Sequence, residues 1–201
     1  MADIAELKYE YIEALYKTEA LMIKEEPFDL HSGGKSHIYL NHRMFLSRYN
    51  YIELIARIYL KLLASVVKHY RVCAVDSVMS PILVGAMSVL DKKDIVVVKS
   101  MKSEHGVRED IYGRIAGEIV VVDDMSSTGD TLLEAARKIR DKGGLVRYAV
   151  VSACRDQRAH ENLSKEKLEL LSITNFREIM DCLKSRLNPR EKELVEREFP
   201  E

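Results

Sequence analysis

Apolar residues recur along this chain with two spacings, and segments of the two kinds alternate. Short apolar runs predict strands over residues 72–75, 95–98, 119–122, 146–153 and 170–173. The first three runs are continuous, which is typical of strands buried on both faces. Apolar positions at helical spacing predict helices over residues 3–24, 50–69, 81–90, 131–142, 176–185 and 189–198. Strands that alternate with helices predict an α/β fold, with a mostly parallel central sheet flanked by helices.

The N-terminal part lacks this alternation. Pro27 is expected to end the first helix, and residues 28–43 have the pattern of a short hairpin around a Ser-Gly-Gly turn. We expect one domain over residues 1–201, in which residues 1–45 form a small N-terminal hood, residues 46–185 the core and residues 186–201 a C-terminal helix.

The run at residues 119–131 carries the strongest chemical signal. A buried strand leads into Asp123 and Asp124, and a turn of small residues then opens a helix. Backbone amides at a helix N-terminus bind anions, whereas the adjacent carboxylates would repel a bare phosphate. The pattern predicts a ligand with a phosphate on one side and hydroxyls or a metal on the other.

Composition narrows the function classes. The chain is 47% hydrophobic and 31% charged, with a formal net charge of -1, so no overall charge favours nucleic acid or an anionic membrane. Three widely spaced cysteines predict free thiols, and His37 and His42 lack a third ligand nearby for zinc. Without an apolar signal-peptide core or a membrane-length apolar run, the chain is expected to be cytoplasmic.

The acidic turn resembles the phosphoribosyl pyrophosphate (PRPP) loop of type I phosphoribosyltransferases. The resemblance implies that Asp123 and Asp124 hold the ribose hydroxyls, with Mg²⁺ bound indirectly through PRPP, and that the turn wraps the 5′-phosphate. Asp130 stands where that family often has glycine. The implied PRPP-binding residues are Asp123, Asp124, Met125, Ser126, Ser127, Thr128, Gly129, Asp130 and Thr131.

Residues 15–185 are similar to the orotate phosphoribosyltransferase family. Residues 28–36 resemble its N-terminal signature, which closes over the base, and the resemblance implies base contacts from Lys35 and Tyr39. Arg155 matches the arginine that faces the orotate carboxylate, although Cys154 replaces the usual aspartate before it. The implied reaction joins orotate and PRPP into orotidine 5′-monophosphate and pyrophosphate.

Residues 99–117 are charged and contain three glycines, which predicts a long loop or flexible hairpin. Its first part resembles the family's mobile catalytic loop, which reaches the active site of the neighbouring subunit. The resemblance implies a homodimer and assigns the leaving group to Lys102, with Lys99 and His105 assisting.

Two departures leave alternatives open. Val98 stands where the family has an arginine, and residues 76–82 lack the glycine and basic residue usual in its pyrophosphate loop. That segment also fits an ordinary turn with Ser80 as N-cap and Pro81 at the first helical position. The alternatives are a phosphoribosyltransferase for another base and a PRPP-sensing regulator without turnover.

Overall fold

The computed structural model describes residues 3–30, 33–100, 109–155 and 157–199. The strands of its main sheet are β3 (Tyr70–Ala74), β4 (Ile95–Val98), β5 (Ile111–Tyr112), β6 (Glu118–Val122), β7 (Met125–Ser126), β8 (Tyr148–Cys154) and β9 (Glu169–Asn175). They lie in the order β5-β4-β3-β6-β8, with β7 and β9 both paired to β8. All pairs are parallel except β4 with β5, which confirms the expected α/β class.

Helices cover both faces of this sheet. Strand β6 is buried along its whole length, with Val120 and Val122 in one apolar cluster and Ile119 and Val121 in the other. Such burial on both faces explains the continuous apolar run. The helices are α1 (Ile4–Lys17), α2 (Tyr49–Ala64), α3 (Met79–Asp91), α4 (Asp130–Asp141), α5 (Arg158–Lys165), α6 (Phe176–Leu183) and α7 (Pro189–Glu198).

The hood contains α1 and an antiparallel hairpin of β1 (Leu21–Asp29) and β2 (Lys35–Leu40), followed by a 3₁₀ helix, His42–Ser47. The prediction that the first helix runs to residue 24 and ends because of Pro27 was wrong. The helix stops at Lys17, and Glu19 takes a left-handed φ of 56°. Pro27 lies within β1, where the pairing register shifts and tolerates a residue without an N–H donor.

One helix boundary and two short elements also differ from the sequence-based expectation. Helix α2 ends at Ala64 rather than at residue 69. Helix α5 was not expected, because only Ala159 and Leu163 of its eight residues are buried apolar side chains. The two-residue strand β7 is defined by its pairing with β8, which no local pattern indicates. Within the described ranges, no helix has the length and apolar character needed to cross a membrane, and all three cysteines are free thiols.

Gly113 closes the turn after β5, and its replacement should destabilise the fold. Its φ is +98°, and a Cβ there would lie 2.5 Å from the carbonyl oxygen of Ile95. We expect Gly113→Ala to lower the free energy of unfolding by about 2–3 kcal/mol, measured by urea denaturation. Gly85 in α3 has no atom within 4 Å of a built Cβ, so Gly85→Ala should not destabilise. Equal losses in both variants would contradict this steric argument.

Candidate active site

Asp123 lies at the carboxyl end of β6, where ligands bind in sheets of this kind. Only 6% of the residue is exposed. Its Oδ1 accepts hydrogen bonds from the Ser77 hydroxyl (3.0 Å) and the Asp124 amide (2.9 Å), and its carbonyl accepts one from the Tyr59 hydroxyl (2.8 Å). The carboxylate is therefore fixed by the segment after β3 and by the following amide, and the backbone of Asp123 is fixed from α2.

Asp124 is held just as closely, by residues distant in sequence. Its Oδ2 lies 2.9 Å from Nδ1 of His42, which is fully buried and begins the 3₁₀ helix. Its carbonyl oxygen accepts hydrogen bonds from the amide (3.1 Å) and the hydroxyl (2.5 Å) of Ser152 on β8. Together, Asp123 and Asp124 thus contact the hood, strand β8, helix α2 and the segment after β3.

The two carboxyl groups differ in electrostatic environment. Burial, together with the negative charge of Asp124, raises the pKa of Asp123. Burial also acts to raise the pKa of Asp124, but the hydrogen bond and charge of His42 outweigh it and bring that pKa below its usual value. Two adjacent buried carboxyl groups resist carrying two charges, so a bound cation or hydroxyl donors would favour ionisation of both.

The carboxylates of Asp123 and Asp124 suit Mg²⁺ only when a bound substrate supplies further ligands to the metal. In the part of the chain that the structure describes, no group of three or more His, Cys, Asp or Glu side chains could hold a metal. Mg²⁺ commonly takes one or two carboxylates and completes its shell with substrate oxygens and water. Asp123 and Asp124 fit that arrangement, with the metal held mainly by a phosphorylated ligand.

Residues 125–131, the phosphate turn, connect the carboxylates to helix α4. Gly129 is the N-cap with φ +89°, a conformation that favours glycine, and α4 presents its first amides beyond it. The carboxylate of Asp130 accepts a hydrogen bond from the Thr128 hydroxyl (2.6 Å), and the Thr128 carbonyl accepts one from Asn162 (3.1 Å). Ser127 and Thr128 are half-buried and Thr131 is exposed, so this turn has the form of an anion cradle.

The segment after β3 supports the carboxylates. The Ser80 hydroxyl is buried, accepts a hydrogen bond from the Val75 amide (2.9 Å) and donates one to the Val122 carbonyl. The interpretation of Ser80 as N-cap and Pro81 as first helical residue was wrong, because α3 begins at Met79. The N-cap is Val78, and the Ser77 hydroxyl before it accepts a hydrogen bond from the Ser80 amide (3.1 Å).

Arg155 lies directly after β8, beside the phosphate turn. Its amide donates to the Ser126 carbonyl (2.8 Å), and its guanidinium lies 4.7 Å from the centre of the Phe176 ring. The same guanidinium donates to the Ser36 hydroxyl and to the Ile38 carbonyl (3.1 Å) on β2. A planar cation is therefore fixed between the phosphate turn and the hood hairpin.

The other two predicted base-site residues do not join Arg155. Side chains alternate between the faces of a strand, and Ser36, Ile38 and Leu40 form the buried face of β2. Lys35 and Tyr39 lie on the opposite face. The Lys35 ammonium is exposed and 3.8 Å from Asp29, and the Tyr39 ring lies 5.2 Å from that of Phe28.

The structure describes the two ends of the segment 99–117, and these ends contact each other. The Lys99 amide donates to the Asp110 backbone carbonyl (2.8 Å), and the Lys99 ammonium lies 5.4 Å from the centre of the Tyr112 ring. The Ser100 amide donates to the Asp76 carboxylate (3.1 Å). Lys102 and His105 fall outside the described residues, and their catalytic roles stay predictions.

A buried parallel strand with a carboxylate pair at its end, followed by an anion cradle at a helix N-terminus, is the arrangement expected of the PRPP loop in type I phosphoribosyltransferases. The fold matches the crystal structure of an orotate phosphoribosyltransferase from Aeropyrum pernix, with a TM-score of 0.76 and 22% identity over 87% of this chain and 98% of that one. No protein-family model matches the chain.

Curated relatives specify the family. The chain is 31% identical to the orotate phosphoribosyltransferase of Picrophilus torridus over 159 residues, which cover 78% of this chain and 93% of that protein. It is 28% identical to that of Methanocaldococcus jannaschii over 154 residues, covering 76% and 86% of the two chains. The chain belongs to the orotate phosphoribosyltransferase family.

Proposed function

We propose that this protein transfers the 5-phosphoribosyl group from PRPP to orotate, giving orotidine 5′-monophosphate and pyrophosphate. The observation that carries the proposal is the arrangement of three groups: a fixed carboxylate pair, an anion cradle and Arg155 beside it. They suit, in turn, the ribose hydroxyls, the 5′-phosphate and an anionic base. The relation to Picrophilus torridus orotate phosphoribosyltransferase supports the same chemistry.

Positioning and electrostatics account for the catalysis. Asp123 and Asp124 accept hydrogen bonds from the ribose hydroxyls, while the phosphate turn fixes the other end of the sugar. The carboxylates are held from several elements, so the ribose C1 is presented to the base in one orientation, which lowers the entropic cost of reaction. Nearby negative charge also stabilises the cationic character that C1 develops as pyrophosphate leaves.

The base site already contains a carboxylate from the chain itself. Glu198, at the end of α7, lies with Oε2 3.6 Å from the Arg155 guanidinium, and the same oxygen accepts a hydrogen bond from the Ser36 hydroxyl (2.6 Å). Its Oε1 accepts from the His37 amide. Orotate also carries a carboxylate, and a guanidinium pairs well with one. We propose that the orotate carboxylate replaces that of Glu198 at Arg155.

We also propose roles for Mg²⁺ and for the loop of a neighbouring subunit. Mg²⁺ would be held by PRPP with Asp123 and Asp124, and when bound it supplies positive charge against the departing pyrophosphate. Lys102, with Lys99 and His105, would act at the same leaving group from a neighbouring subunit, in a cytoplasmic homodimer. The resemblance of residues 99–106 to the family's catalytic loop supports this assignment.

An acceptor assay tests the proposal directly. With PRPP and Mg²⁺ present, we expect orotate to be consumed with release of pyrophosphate, while uracil, adenine and hypoxanthine are not, because they lack a carboxylate for Arg155. Chelation by EDTA should abolish turnover, and Lys102→Ala should reduce it. Consumption of another base alone would refute the orotate assignment. PRPP binding without turnover for any base would favour the regulator.

A further inference from the structure

We propose that His42 is a positioning residue for PRPP, which holds the Asp124 carboxylate in the orientation that the ribose requires. The inference rests on the proposed function only in taking PRPP as the ligand of Asp124. His42 lies two residues beyond the end of β2, so it connects the base-site hairpin to the ribose site.

Aromatic rings pack against the His42 imidazole, and both of its ring nitrogens have hydrogen-bond partners. It is fully buried, lies parallel to the Tyr11 ring at 6.0 Å and meets the edge of Phe45 at 5.8 Å. Its Nε2 is 2.6 Å from the Tyr11 hydroxyl and 3.0 Å from the Ser152 hydroxyl. Helix α1, the 3₁₀ helix and β8 therefore prevent rotation of this ring.

The other ring nitrogen is directed at the ribose site. Nδ1 lies 2.9 Å from Oδ2 of Asp124, and because a carboxylate only accepts, Nδ1 carries the hydrogen. Asp124 is the less buried of the two carboxylates, so without this donor its side chain has room to rotate. A fixed donor removes that freedom before the ligand arrives, which improves affinity by preorganisation.

This hydrogen bond also connects substrate sites. Ser152 contacts both the His42 ring and the Asp124 carbonyl, and Arg155 follows three residues later on the same strand segment. On the other side, His42 continues the chain from β2, which Arg155 contacts. His42 therefore links the hairpin that Arg155 contacts to the Asp124 carboxylate.

Three substitutions separate positioning from general stability. The amide nitrogen of asparagine takes the place of Nδ1, whereas that of glutamine takes the place of Nε2. We expect His42→Gln and His42→Leu to weaken PRPP binding by about tenfold or more, and His42→Asn to stay within about threefold of wild type. PRPP affinity is measured by calorimetry, and KM and kcat separately by steady-state kinetics, with Tm recorded for each variant. The loss should appear in KM for PRPP rather than in kcat.

The outcomes decide between the two roles. Recovery of PRPP affinity in His42→Asn, with Tm lowered as much as in His42→Gln, supports positioning. Equal PRPP affinity in those two variants would overturn it, as would wild-type affinity in His42→Gln. In an Asp124→Asn background, His42→Gln should cause no further loss of affinity, because the contact it removes acts through that carboxylate. Binding of PRPP can be measured whichever base is accepted, so failure with orotate would refute the proposed function without deciding the role of His42.

Discussion

Replacement of Asp124 by asparagine is expected to lower kcat/KM for PRPP by about 10²–10³-fold, or about 3–4 kcal/mol. The variant loses a negative charge beside the developing positive charge at C1. An amide nitrogen turned toward Nδ1 of His42, 2.9 Å from the present Oδ2, would also place two donors face to face. Steady-state kinetics with PRPP varied at saturating orotate measure the effect.

Asp141→Asn is the matched control. Asp141 is the last residue of α4, lies outside the phosphate turn and is exposed. Removal of its charge should change kcat/KM for PRPP by less than about threefold, since exposed charges contribute little. A similar loss in both variants would show that overall negative charge, rather than the fixed position of Asp124, determines activity.

The sheet and the acidic turn could be predicted because their signals are local. The apolar run before Asp123 follows from the burial of β6 on both faces. The small residues after Asp124 form a turn that ends at Gly129, whose positive φ favours glycine. Each signal lies within about ten residues of the chain. The α/β class follows from the same alternation, whereas the order of the strands is seen only in the structure.

The residues that hold the site could not be predicted in this way. His42 meets Asp124 across 82 positions, and Tyr11 meets Ser152 across 141. No periodicity connects side chains so far apart, and only the packing of the hood on the sheet brings them together. The residues next to His42 in sequence indicate no carboxylate partner, and its spacing from His37 raises only the question of zinc. Glu198 belongs to the expected C-terminal helix, and no local pattern indicates that it reaches Arg155.

Removal of the Arg155 guanidinium is expected to raise KM for orotate by about 10²-fold in Arg155→Gln, because one charge-assisted, planar contact to the base carboxylate is lost. PRPP affinity should change much less, since Arg155 contacts the phosphate turn through its backbone amide, which the substitution keeps. Orotate-dependent kinetics at saturating PRPP, with calorimetry for PRPP alone, measure both quantities. A larger loss for PRPP than for orotate would contradict the base-site assignment.

Glu198→Gln tests the same site, and it should lower KM for orotate where Arg155→Gln raises it. If the two carboxylates compete for Arg155, a neutral amide at Glu198 should lower KM for orotate by about three- to tenfold, because the orotate carboxylate no longer competes with the charge of Glu198 for the guanidinium. Glutamine keeps one oxygen for the His37 amide, and the Ser36 hydroxyl can donate to the Ile38 carbonyl instead, so α7 should stay docked on β2. Glu196 on the same helix is exposed, so Glu196→Gln serves as the control and should leave KM for orotate unchanged. A raised KM in Glu198→Gln would mean that Glu198 holds Arg155 and the hairpin ready for the base rather than competing with it.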